Sequence, residues 1–241
     1  MSMLPQPPPG APPPPASPAA RRSRWKWRAL WLVGSASITV LAVMAYTAIW
    51  RQHVIANTVE AHNNLRSMSL AFFEFETAYG AYPNAATASE VAELTDSKLP
   101  LGAKSSNDIF RQLIAAEVCQ SEAMFYARIP GTHKPDNVFN DGSTALVKGE
   151  VGYSCIVGLN SKSNPECPLV VTPLIPGTNK FDRKPFDGRA IVLRVKGGSG
   201  GRIEFLPIDK NGEVVDASGR HLLDPANPVW GGVAPVIAWP E

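Results

Sequence analysis

Charge is missing from the 22 residues between Ala29 and Trp50, which excludes an ordinary solvated helix there. Proline and glycine are missing from Arg51 to Tyr79, so nothing in the backbone chemistry breaks a helix over that stretch. Cysteine is scarce. Cys119, Cys155 and Cys167 include no Cys-x-x-Cys pair, which excludes a structural zinc framework. The four histidines, His53, His62, His133 and His221, are far apart, and none has a second ligand at metal-binding spacing. A formal net charge of +2, with no basic stripe interleaved with aromatics, leaves nothing to recognise nucleic acid. No motif for a small-molecule substrate or a cofactor is evident, and no internal repeat is present.

The charge-free stretch is long enough to cross a bilayer, since 22 residues of helix rise about 33 Å. Five cations, Arg21, Arg22, Arg24, Lys26 and Arg28, precede it, and only Arg51 follows immediately. The positive-inside bias places the N-terminus in the cytoplasm and the chain after Arg51 outside. Trp25, Trp27 and Trp31 at one end, with Tyr46 and Trp50 at the other, are the aromatic rings that settle at interfaces. A cleaved signal peptide is the rival reading. Its apolar region is usually only about 7–15 residues, and the small-residue site here, Val43-Met44-Ala45, lies inside the stretch. Arg21-Arg22 also lacks the apolar pair that follows a twin-arginine export signal. An uncleaved single-pass anchor fits better.

Three segments are expected. Residues 1–28 form a disordered proline-rich cytoplasmic tail ending in the basic collar, because nine prolines among the first twenty residues cannot bury a core. Residues 29–50 form the transmembrane helix, and residues 51–241 an extracytoplasmic α+β domain. The helix is expected to continue to Tyr79, with Ile55, Val59, Leu65, Met68, Phe72, Phe75 and Tyr79 as its apolar stripe and His62 filling a gap. Gly80 and Pro83 stop it. A helix over 29–79 would measure about 77 Å. A short helix over 88–94 begun by Thr87 and a longer one over 107–125, capped by Ser105, Ser106 or Asp108, are expected next.

After Pro130 the texture turns to short β-rich runs at 152–157, 169–172, 190–195 and 202–206. The last two flank the glycine-rich loop 196–201, which predicts a hairpin. Asp209-Lys210-Asn211-Gly212 predicts a turn leading to Val214-Val215. Helices first and an antiparallel sheet later make an α+β fold. Gly197-Gly198-Ser199-Gly200-Gly201 fits Gly-x-Ser-x-Gly, but a nucleophile elbow needs a following helix, and Arg202 to Leu206 reads as a strand. In an exported domain Cys155 and Cys167 are candidates for a disulfide worth about 3 kcal/mol, leaving Cys119 as a small buried apolar residue.

The run from Asn63-Asn64-Leu65-Arg66 through Leu70-Ala71-Phe72-Phe73 to Tyr79-Gly80-Ala81-Tyr82-Pro83, about fifty residues after the start of a membrane helix, resembles the spine of type IV pilin-like proteins, closest to the major pseudopilins of type II secretion. Phe186-Asp187-Gly188-Arg189-Ala190-Ile191-Val192 resembles the Asp-Gly-led strand of their sheet. The resemblance implies a long helix packed on a C-terminal antiparallel sheet, a structural or secretion-associated role without enzymatic activity, and the lipid bilayer and other pilin-like or secretion-system subunits as partners. It departs at Gly34. Ser35-Ala36-Ser37-Ile38-Thr39 follows, without the Phe, Leu and Glu of a prepilin peptidase site. Related pseudopilins bind calcium in C-terminal loops, so the oxygens of Asp209, Asn211, Glu213 and Asp216 are the calcium candidates, although glycine and glutamate positions differ from an EF-hand. Two other classes stay open: an anchored extracytoplasmic hydrolase with an unrecognised site, and a sensor or adaptor linking an outer ligand to partners of the proline-rich tail.

Overall fold

The computed structural model describes residues 18–139, 145–195, 201–216 and 219–241. The chain divides into two compact units, residues 1–51 and 52–241. The first helix, α1 (Pro18–Tyr79), supplies the described part of the first unit and enters the second. It starts eleven residues earlier than position 29, so the basic collar is helical rather than part of a disordered tail. Pro18 opens it, as suits a residue without an N–H and with φ preset near the helical value, and Ala19, Ala20 and the arginines after it are good helix formers.

In the first unit α1 is long and apolar enough to span a membrane. Its described side chains are exposed all round, from Trp31 at 74% to Val43 at 57%, so the helix turns no face to a protein core. Four of its hydroxyls are spent on its own backbone. Ser35 donates to Leu32 O, Ser37 to Val33 O, Thr39 to Ser35 O and Thr47 to Met44 O, all at 2.9–3.0 Å. That bonding removes the bare polar donors that hydrocarbon would penalise.

In the second unit Ala61, Leu65, Met68, Phe72 and Phe75 are buried at helical spacing. The stripe is shorter than the sequence suggests, since Ile55 and Val59 are 56% and 52% exposed. Before Ala61 the helix is at most partly buried, at Val54, Asn57, Thr58 and Glu60, and full burial begins at Ala61. Gly80, at φ 73°, closes α1 by donating to Glu76 O at 2.7 Å.

Helix α2 (Ala85–Thr95) begins two residues before Thr87. Asn84 is the cap: its Oδ1 accepts from Ala86 N and Thr87 N, while Thr87 Oγ1 accepts from Asn84 N. Helix α3 (Ser106–Ala115) starts at the expected Ser105 cap but stops ten residues short of Phe125. Glu117 takes φ 58°, Val118 N donates to Leu113 O, and Glu117 N donates to Ile114 O. This is a Schellman closure built without glycine. Only a short 3-10 turn, Glu122–Phe125, follows.

The sheet is five-stranded and antiparallel, in the order β4-β3-β2-β1-β5, with β1 Ser154–Val157, β2 Pro168–Thr172, β3 Arg189–Arg194, β4 Arg202–Pro207 and β5 Val236–Ala238. Consecutive residues of β2 and of β3 after Arg189 are buried, so both faces of these central strands are covered. Residues 196–200, which hold most of the Gly-x-Ser-x-Gly match, lie outside the described residues. The chain beyond them is strand β4, paired along its length with β3. Edge strand β5 is absent from the sequence reading, and Val214 and Val215 make only isolated bridges, to Ile208 and His221.

Helix α1 meets the sheet through named contacts. Gly201 N donates to Ser69 Oγ, Tyr153 Oη to Ala61 O, and the His62 ring stacks on Phe205 with centroids 5.7 Å apart. Gly152 is required by close approach, since a Cβ there would fall 2.6 Å from Ala127 N. All three cysteines are free and buried. Cys155 faces Val170 across the ladder, which leaves Cys167 about 10 Å along the neighbouring strand, beyond disulfide reach. The Cys155–Cys167 bridge is therefore not formed.

Candidate functional site

The four sequence-selected oxygens fall on the turn after β4 and the bridge beyond it. Asp209 Oδ1 accepts from Asn211 N and Glu213 N, both at 2.8 Å, and its Oδ2 accepts from Asn211 Nδ2. These bonds hold the Asp209 carboxyl below the ordinary carboxylate range, the Glu213 N–H contributing most. Glu213 Oε2 pairs with His221 Nε2 at 3.2 Å, beside a cleft of about 260 Å³ lined by Asn179, Phe181, Glu213, His221 and Asp224. Asp216 Oδ2 accepts from Asn227 Nδ2 at 2.7 Å. Asp209, Glu213 and Asp216 thus each serve a local polar contact, and they do not gather into one cluster of ligand atoms.

A different trio does. Among the described residues, Glu122, Asp136 and Glu150 each place a carboxylate oxygen within 4.8 Å of the other two. Glu122 sits in the first turn of the 3-10 segment, whose cap, Ser121, shares the Asn137 Oδ1 acceptor with Glu122 N. Asn137, at φ 63°, is next to Asp136, whose Oδ1 accepts from Val138 N. Glu150 closes a turn back to Val147, and its Oε2 accepts from Val147 N at 2.7 Å.

The segment 145–147 is held from both sides. Helix α3 takes its carbonyls, through Arg111 Nε to Ala145 O, Arg111 Nη2 to Leu146 O and Asn107 Nδ2 to Leu146 O. The acids take its amides, Leu146 N donating to Glu122 Oε1 at 2.7 Å and Val147 N to Glu150. Glu122 is fully buried and Glu150 is 2% exposed, while Asp136 is exposed. Glu122 Oε2 is buried without a hydrogen-bond partner. No ion pair among the described residues reaches any of the three; Arg111 is turned to Asp108. Burial pushes the Glu122 carboxyl up, the Leu146 N–H opposes, and the charges of Glu150 and Asp136 push further up.

The sequence held no signal for this trio, since each acid is fourteen positions from the next and none sits in a loop motif. No hydrogen bond among the described residues joins a serine or cysteine to a histidine. No family model matches the chain, and neither a curated protein nor a solved structure matches it.

Proposed function

We propose that this protein is a single-pass protein of a bacterial inner membrane, cytoplasmic at its N-terminus, whose exported α+β domain is a pilin-like module of pseudopilin type acting through protein–protein contacts. The observation that carries the reading is α1. One uninterrupted helix is apolar and exposed on all sides over 31–50, then buries Leu65, Met68, Phe72 and Phe75 in the core of an antiparallel-sheet domain. The collar of five cations supports the orientation. The turn Asp187-Gly188, both at positive φ, leads into β3 and supports the resemblance. The exposed Ile55 and Val59 lie between the span and the domain core, where an apolar strip suits contact with neighbouring subunits.

Topology and contact are tested together by introduced cysteines. The native thiols are a quiet background, because all three are buried and burial pushes Cys119 up to about 12. Leu94→Cys, at a position 68% exposed, is expected to react with a membrane-impermeant maleimide once the outer membrane is opened, with the inner membrane intact. Ile55→Cys is expected to form crosslinks to other chains in cells. Labelling of Leu94→Cys only after inner-membrane lysis overturns the orientation, and an Ile55→Cys protein that stays monomeric overturns the contact role.

A further inference from the structure

We propose that Glu122, Asp136 and Glu150 bind a divalent cation, calcium by their chemistry, at a site that pins the 3-10 turn, the 136–137 loop and the 145–150 turn together. The site is separate from the turn at 209–216 and does not depend on the pilin-like reading.

Three observations carry it. A buried carboxylate is tolerated only when paired, metal-bound or neutralised, yet two buried glutamates and Asp136 stand together with no ion pair to a cation among the described residues. The N–H bonds from Leu146 and Val147 preset the two glutamates, as supporting hydrogen bonds preset metal ligands elsewhere. The third is Glu122 Oε2. Its sister oxygen is spent on Leu146 N, and Oε2 itself has no partner in a site where an unsatisfied acceptor is costly.

The donor set selects the ion. All three donors are carboxylate oxygens, without the thiolate or imidazole that favours zinc. Calcium–oxygen bonds of about 2.3–2.6 Å put opposed ligands roughly 4.6–5.2 Å apart, so a span within 4.8 Å closes on calcium with little movement. Magnesium, at about 2.1 Å, requires a tighter and more regular shell. Exposed Asp136 leaves the mouth open for entry and for waters that complete the coordination.

The test uses the full chain in detergent, stripped with chelator and titrated with calcium. Expected are one calcium per chain by calorimetry and a rise in unfolding temperature of about 5 °C at about 1 mM calcium. Asp136→Asn changes an exposed residue and keeps the fold. It is expected to leave the metal-free unfolding temperature in place and weaken calcium at least about tenfold. Glu122→Gln removes the uncompensated charge. It is expected to raise the metal-free unfolding temperature and abolish the calcium response. Wild-type protein that binds no calcium while Glu122→Gln is stabilised would make Glu122 a buried neutral acid and overturn the proposal. Calcium binding unchanged in both variants would overturn it as well.

Discussion

If the second half of α1 is a structural spine, truncating its buried face must unfold the domain while truncating its exposed face does nothing. Phe75 is fully buried and stacks on Tyr79 at 4.5 Å, whereas Leu70, five residues earlier on the same helix, is 51% exposed. Phe75→Ala removes a ring from a close-packed site and is expected to cost about 3–5 kcal/mol. Domain stabilities are about 5–15 kcal/mol, so this is a large share. For a unit of this size each kcal/mol moves the midpoint by about 2–4 °C, which predicts a fall of about 6–20 °C. Leu70→Ala is expected to stay within about 0.5 kcal/mol. Thermal unfolding of the full chain in detergent, followed by near-ultraviolet circular dichroism, reads both. Equal small losses in the two variants would mean that residues 52–79 are a tether resting on the sheet, and the spine argument would fail.

Arg194 gives a second prediction. Its side chain is 4% exposed, its Nε donates to Glu204 Oε2 at 2.5 Å and its Nη1 to Glu166 O. Arg194→Met is expected to cost about 1–3 kcal/mol by urea unfolding, less than the usual penalty for orphaning a buried charge, because Glu166 and Glu204 stay partly solvated and keep Arg202 at 2.6 and 3.0 Å. No measurable loss would show the network to be idle. At the turn, Asp209 is expected to titrate below the ordinary carboxylate range in a carboxyl-detected NMR experiment. Because its folded value is depressed, the contact favours the fold above the unfolded value and is lost as pH falls through the lower folded one. A titration at the ordinary value would mean that the Glu213 and Asn211 amides do not hold it.

Much of the architecture was legible because local chemistry spelled it out. Absence of proline and glycine across Arg51–Tyr79, then Gly80 and Pro83, set the end of α1 at Tyr79. The β-rich runs gave β1 to β4 to within two residues. What was misread turned on tertiary or backbone chemistry with weak sequence marks. Helix α3 stops where Glu117, not a glycine, adopts the left-handed conformation. Apolar Ile55 and Val59 continue the stripe in sequence, yet the fold leaves both exposed. Strand β5 is three residues long, and pairing with β1 rather than its own pattern makes it a strand.

The acid cluster marks a different limit. A sequence search for hard-cation sites looks for oxygens closely spaced in one loop, because a loop that carries its own ligands leaves a periodic trace. That logic led to Asp209, Asn211, Glu213 and Asp216, which in the fold serve a turn, a contact with His221 and a bond to Asn227. Asn107 and Arg111 of α3 pull the carbonyls of 145–146 one way, which aims the amides of Leu146 and Val147 the other way, at Glu122 and Glu150, and Asp136 N donates to Glu150 Oε1. Three acids on three separate turns carry no spacing rule. Such a site is found by asking which buried oxygen lacks a partner, and in this domain that question leads to Glu122 Oε2.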